Sequence, residues 1–271
     1  MLLKGKNAIV TGSARGIGRG IALKLAAEGV NLALVDLGQP GDPALTYNLA
    51  AQTDLIRTIE EVKGLGAKAV PILADVTSSG DCTRMAAEAT AALGGIDILV
   101  NNAGIIALGL VVDFSEEAWD RVMAVNAKGP FLCAKACIPH LRKNREGAIV
   151  NIASIAGKTG KPGAAAYCAS KFAVVALTQA LAAELGSSNI RVSAVCPGYL
   201  RTAMFNDVIN KVMVTGYGVT EDKVFDAHVE RGTFLRREQT PEDIGEAVAY
   251  LCRAENVTGI TLTVAGGAEL H

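Results

Sequence analysis

The chain is 271 residues long, 50% hydrophobic and nearly charge-balanced, with a formal net charge of −1. That composition supplies one full core and suits a single α/β domain over residues 1–271 better than two small ones, and it leaves no basic footprint for nucleic acid. The six cysteines lie scattered in apolar stretches without a CxxC pair, so free thiols in a reducing cytoplasm are expected, with no metal site, and no apolar run approaches membrane-spanning length.

Apolar runs alternate with helical patterns along the chain, the βαβ signature of a parallel sheet. The first residues, Met-Leu-Leu-Lys-Gly-Lys, run straight into a strand and leave no room for a signal peptide. Asn7–Thr11 is that strand, followed by a helix over Gly16–Glu28 and a second strand at Asn31–Leu37. A helix over Thr53–Leu65 leads to a third strand, Lys68–Ala74, and a helix over Ser79–Leu93 leads to a fourth, Asp97–Asn101. One long helical pattern covers Glu116–Arg142 before the fifth strand, Ala148–Ala153. The alanine-rich helix Ala165–Leu185 ends at Gly186, and the sixth strand, Arg191–Val195, is stopped by Cys196-Pro-Gly198. Pro241–Cys252 is the last helix and Thr261–Val264 the seventh strand.

Two stretches break this rhythm. Gly38–Gln52 occupies a connection that usually takes ~2–6 residues, which makes it either functional or mobile. Residues 199–238 bring Met204, Phe205, Val208, Met213, Tyr217, Phe225 and Phe234 into an irregular setting, as a substrate lid would, with Asn206, Asp207 and Asn210 as its polar exceptions.

The first strand runs into Thr11-Gly12-x-x-x-Gly16-x-Gly18 and a helix, the context that a dinucleotide fingerprint requires. Gly12 permits the tight turn, Gly16 lets backbone approach a pyrophosphate, and Gly18 lets the helix pack on the strand. The helix start, with Ile17, offers N–H groups and a positive dipole end. Asp36, with Leu37 beside it, closes the second strand where an acid accepts both adenosine ribose hydroxyls and repels a 2′-phosphate, which favours NAD over NADP. Arg15 in the glycine turn pulls toward NADP; its preferred reading is a solvated side chain near the cofactor.

Tyr167 and Lys171 stand one helical turn apart and project from the same face. A lysine charge favours the phenolate, so a tyrosine with an ordinary pKa near ~10 is expected to exchange protons closer to neutrality. The three histidines, 140, 228 and 271, share no spacing, and no catalytic role is expected of them; the terminal Leu270-His271 reads as frayed.

Taken in order, the glycine turn, Asp75-Val76, Asn101-Asn102-Ala103-Gly104, Asn126, Ser154, Tyr167-x-x-x-Lys171 and Pro197-Gly198 with Thr202 resemble the short-chain dehydrogenase/reductase family from end to end. The resemblance implies a single-domain Rossmann fold, a doubly wound seven-stranded parallel sheet with helices on both faces, assembled as a homotetramer. It implies Tyr167 as general acid in reduction and base in oxidation, and Lys171 bonded to the nicotinamide ribose. Ser154 polarises the substrate oxygen and Asn126 positions a water in the proton relay. It also implies Asp75 and Val76 at the adenine, Asn102, Ala103 and Gly104 beside the cofactor, and Thr202, after Pro197-Gly198, at the carboxamide.

Two departures stand out. The usual acid before the paired glycines near the C-terminus is Ala265, and Asp36 to Asp75 spans 39 positions (75 − 36), about a dozen more than is common in the family. The segment with Tyr47, Asp54-Leu55, Thr58, Val62 and Leu65-Gly66 is similar to an extended-loop branch associated with mycofactocin, whose members, like carveol dehydrogenases, retain NAD and act on secondary alcohols. The alternative is a surface insertion that merely covers the adenine pocket. The expected reaction is NAD-dependent interconversion of a secondary alcohol and a ketone on an apolar small molecule. The rivals are a 3-oxoacyl-(acyl-carrier-protein) reductase and a catalytically silent dinucleotide-sensing or scaffold protein.

Overall fold

Seven short runs rich in Val, Ile, Leu and Ala, buried on both faces except at the edge strands, pair side by side in the computed structural model, which describes residues 1–45, 47–205 and 221–270. The strands are β1 (Asn7–Thr11), β2 (Asn31–Asp36), β3 (Ala69–Leu73), β4 (Ile98–Asn101), β5 (Gly147–Ile152), β6 (Ile190–Pro197) and β7 (Thr261–Val264). All pairs are parallel, in the order β3-β2-β1-β4-β5-β6-β7. The sheet therefore reverses its winding between β1 and β4, and a crevice opens at their carboxyl ends. Pro71 lacks an N–H, and it sits on β3, the edge strand, where one face of the ladder is unpaired.

Helices cover both faces because alternate strand residues point opposite ways. Ala8, Val10, Leu32 and Leu34 pack with α1 (Gly16–Ala27), α2 (Gln52–Gly64) and, near the chain end, a helix over Pro241–Arg253. Ile9, Ala33, Leu99, Ile149 and Val192 pack with α3 (Ser79–Leu93), α5 (Gly129–Lys143) and α6 (Ala165–Leu185). Between α3 and α5 lies α4 (Glu116–Met123), and α7 (Glu221–Gly232) precedes the terminal helix, α8. Ser78, Ser115 and Thr240 cap α3, α4 and α8 by accepting N–H groups of the first turn. All six cysteines are buried free thiols.

Two expectations need correction. The helical pattern over Glu116–Arg142 is not one helix: a π turn at Ala124–Lys128 separates α4 from α5 and aims Asn126 inward. Periodicity alone could not reveal this, because one extra residue in a turn barely disturbs the apolar pattern. Helix α6, continued to Ser188, is long and apolar enough to cross a membrane, contrary to the sequence expectation. Ala166, Leu181 and Leu185 bury it against the sheet, where it is a core helix. The stretch 199–238, expected to be irregular, also holds the helix α7, and the boundaries of the other expected elements move by a residue or two.

Helices α1 and α8 approach so closely that a Cβ placed on Gly20 would lie 2.4 Å from Pro241 Cβ and 2.7 Å from its carbonyl oxygen. Gly20→Ala should therefore force the helices apart and cost about 1–3 kcal/mol. A urea midpoint equal to that of the parent protein would show that the contact yields freely.

Candidate active site

The crevice at the ends of β1 and β4 widens into a cavity of about 460 Å³. Gly12, Arg15, Gly16, Ile17, Gly18, Asp36, Leu37, Asp75, Val76, Asn102, Ala103, Gly104, Ser154, Tyr167, Lys171, Pro197, Gly198 and Thr202 all line it. Every residue assigned from sequence to cofactor or chemistry thus meets in one place, except Asn126, which lies just behind the wall and is fully buried.

At one end the glycine turn is built for close approach. Gly12 has φ +64°, and a Cβ there would sit 2.8 Å from Ala103 Cα; on Gly18 it would sit 2.1 Å from the Gly12 carbonyl oxygen. The Thr11 hydroxyl accepts the N–H groups of Asn102 and Ala103 at 3.0 and 3.1 Å, and the Asn102 amide donates to the Thr11 and Gly12 carbonyls at 3.0 and 2.9 Å. Arg15, the residue before α1, gives the helix no side-chain cap, so its first N–H groups remain for an anion at the cavity. Asp36 accepts N–H groups from Ala14 at 3.0 Å and Leu37 at 2.9 Å; burial pushes its carboxyl up while these bonds and the Arg15 charge pull it back. A glycine cradle, an uncapped helix and a fixed acid fit a dinucleotide.

Arg15 keeps the partly exposed place beside the cavity expected from sequence, and it has a partner there. Its guanidinium donates to the Asn48 carbonyl at 2.6 Å, which ties the glycine turn to the β2–α2 insertion. Asp75 accepts from the Thr77 N–H and hydroxyl at 2.8 Å each, so its carboxylate shapes the turn that presents Val76. The Thr202 hydroxyl accepts the Phe205 N–H at 3.3 Å, and the Gln239 side chain, which the sequence did not mark, accepts the Tyr199 N–H at 2.8 Å and holds the segment after Gly198.

At the other end Tyr167, Ser154 and Lys171 converge. Lys171 is buried and its Nζ donates to the Ile152 carbonyl at 2.9 Å, 5.7 Å from the centre of the Tyr167 ring. A Cβ on Gly104 would fall 3.4 Å from Asn126 Oδ1 and 3.5 Å from Lys171 Nζ, so these groups crowd one point. The Asn126 amide accepts the Ile105 N–H and donates to the Ile105 carbonyl, both at 2.8 Å, and donates to Ser170 Oγ at 3.0 Å. Ser154 Oγ accepts the Ala156 N–H at 3.1 Å.

The electrostatics run opposite to the sequence expectation. Burial pushes the Tyr167 phenol up to about 12, against a hydrogen bond with Ser154 that lowers it. Burial likewise pushes Lys171 down to about 8. Desolvation is the largest cause of both shifts, because both groups are buried away from water.

The remaining lining was only partly legible. Ile106, Leu108, Leu200, Met204 and Phe205 make the reaction end apolar. Tyr47 of the insertion, Tyr199, Lys161 and His228 also face it; His228 packs edge-on to Tyr199 at 4.6 Å, and burial, then Lys161, lowers its pKa. No local spacing marks His228, which α7 brings in from far along the chain. Of the lid residues, Val208, Met213, Tyr217, Asn206, Asp207 and Asn210 lie outside the described residues, as does His271.

The family described as short chain dehydrogenase matches residues 6–212. A 3-oxoacyl-(acyl-carrier-protein) reductase of Staphylococcus epidermidis is 37% identical over 97% of this chain and 98% of its own. The crystal structure of carveol dehydrogenase from Mycobacterium avium in complex with NAD superposes with a TM-score of 0.93 at 29% identity, covering 98% of both chains. An NAD+-bound xylitol dehydrogenase gives 0.87 at 32% identity, with 98% and 100% covered. A parallel seven-stranded sheet with its glycine turn, and matches of this extent, lead to one conclusion: the chain belongs to the short-chain dehydrogenase/reductase family of oxidoreductases.

Proposed function

We propose that this oxidoreductase interconverts a secondary alcohol and a ketone with NAD(H), Tyr167 serving as general acid and base. The observation that carries the reading is the convergence of Tyr167, Ser154 and Lys171 at the apolar end of a cavity whose other end holds Asp36. The bound nicotinamide would supply the hydride in reduction and accept it in oxidation.

In reduction, Tyr167 donates its proton to the carbonyl oxygen as hydride reaches the carbonyl carbon. Ser154 holds that oxygen and stabilises the charge developing on it. Lys171, anchored on Ile152, places a cation beside the phenolate left behind. Asn126 fixes Ile105 and Ser170 with its amide, and we assign to it the water that returns a proton to the site. Oxidation runs the same steps backward.

Asp36 supports NAD as the cofactor, because a carboxylate held by two backbone N–H groups meets a 2′-phosphate with like-charge repulsion. Arg15, bonded to Asn48, is turned to the insertion. Asp75, Val76, Asn102, Ala103, Gly104, Pro197, Gly198 and Thr202 take the adenine, backbone and carboxamide places implied by the family. Ile106, Leu108 and Met204 favour a substrate with an apolar body over a polyol. The insertion and the likeness to an NAD-bound carveol dehydrogenase support the extended-loop branch, with 199–238 as lid.

A second reading, 3-oxoacyl-(acyl-carrier-protein) reduction, draws on the 37% identical relative and uses the same chemistry. A silent scaffold is disfavoured by the assembled Ser154, Tyr167 and Lys171. Exposed Trp119, Phe131 and Phe172 on α4, α5 and α6 support a homotetramer, which we place in the cytoplasm.

Three measurements test this reading. Tyr167→Phe should lower kcat by about 10²–10⁴-fold while NADH affinity stays put; substantial residual turnover would refute the assigned role. Catalytic efficiency with NADH should exceed that with NADPH by on the order of tenfold or more, and a preference for NADPH would favour the acyl-carrier reductase. The third concerns pH. Burial keeps the phenol protonated to about 12, so the alkaline limit of ketone reduction falls to Lys171, charged below about 8 and neutral above it. Reduction should hold level in mildly acidic to neutral buffer and decline above about 8. A plateau extending well beyond that point would remove Lys171 from the step.

A further inference from the structure

The β2–α2 insertion is anchored at both flanks. Arg121 Nε donates to Asp42 Oδ2 at 2.7 Å, Leu49 N–H to the Pro40 carbonyl at 2.8 Å, and Arg15 to Asn48 at 2.6 Å. Between these anchors Tyr47 turns inward and is only 8% exposed. Its hydroxyl accepts the Ile106 N–H at 3.1 Å. The preceding residue, Ile105, has its N–H and carbonyl both held by the Asn126 amide, which donates to Ser170, and Ser170 Oγ donates to the Tyr167 carbonyl at 2.7 Å. Tyr47 and Ile106 form one apolar cluster, against which Leu108, Met204 and Tyr167 pack. The insertion thus reaches past the cofactor groove to the reaction end of the cavity, where Tyr47 and Tyr167 lie close enough to influence each other electrostatically.

We propose that Tyr47 determines substrate specificity: its ring is one wall of the substrate chamber beside Tyr167, and its hydroxyl fixes the Ile105–Ile106 backbone that lines that chamber. The proposal rests on the reading that Tyr167 is the reacting group. A wall of this kind limits the size of the alcohol body on that side. It also couples the seating of the insertion to the position of the catalytic helix, because the hydrogen bonds from Tyr47 to Tyr167 are interrupted only by the Ile105–Ile106 peptide. Tyr47→Phe removes the hydroxyl and keeps the wall; Tyr47→Ala removes both.

The test uses the purified protein with NAD and a series of secondary alcohols from small acyclic to bulky cyclic, with NAD affinity measured in parallel. Amide hydrogen exchange is followed in the peptide containing Ile106. Tyr47→Ala should raise the bulky-to-small ratio of kcat/KM by about tenfold or more, and Tyr47→Phe should leave that ratio within about twofold. Tyr47→Phe should speed exchange at Ile106 by about tenfold or more. An unchanged ratio in Tyr47→Ala, with NAD affinity retained, overturns the proposal whatever the exchange shows. If the parent protein turns over none of the alcohols or their ketones, the proposed reaction fails instead. Exchange then decides whether Tyr47 holds the chamber backbone, and unchanged exchange in Tyr47→Phe overturns that too.

Discussion

The bonds that join Thr11, Gly12 and Asn102 are the constraint on which the site depends. At the point where the sheet reverses its winding, two chain ends must diverge and still leave a groove narrow enough for backbone to touch a phosphate. The Thr11 hydroxyl and the Asn102 amide lock the end of β1 to the end of β4 with four hydrogen bonds. No side chain fits at Gly12 or Gly18 once that lock is made. The cofactor end is therefore set by backbone approach, and the chemistry end inherits its position from the same strands through Asn151, which links Asn101 of β4 to Thr178 of α6.

Burial then sets the electrostatic character of the site. Tyr167 and Lys171 both leave water, so the phenol is held protonated and the ammonium is made easier to discharge. In the proposed reaction the lysine would act less as a depressor of the resting phenol than as a cation in place when phenolate forms.

The insertion after β2 adds a second layer. It ties Arg15 to the Asn48 carbonyl, pairs Asp42 with Arg121 on α4, and delivers an aromatic ring to the reaction end. A segment that looks like a cover over one side of the groove is thus packed through Tyr47 against Ile106 and Tyr167.

Much of this was legible in the sequence, because its signals are local. The strand–turn–helix around Gly12–Gly18, the acid at Asp36 and the one-turn spacing of Tyr167 and Lys171 each follow from backbone geometry within a few residues. They determined the sheet, the dinucleotide groove and the oxidoreductase family. The break at Asn126, the bond from Arg15 to Asn48, the place of His228 and the pKa order of Tyr167 and Lys171 were not legible. Each depends on residues tens of positions apart meeting in space, which for Asn126, Tyr167 and Lys171 means a volume without water, and only tertiary structure decides which groups meet there.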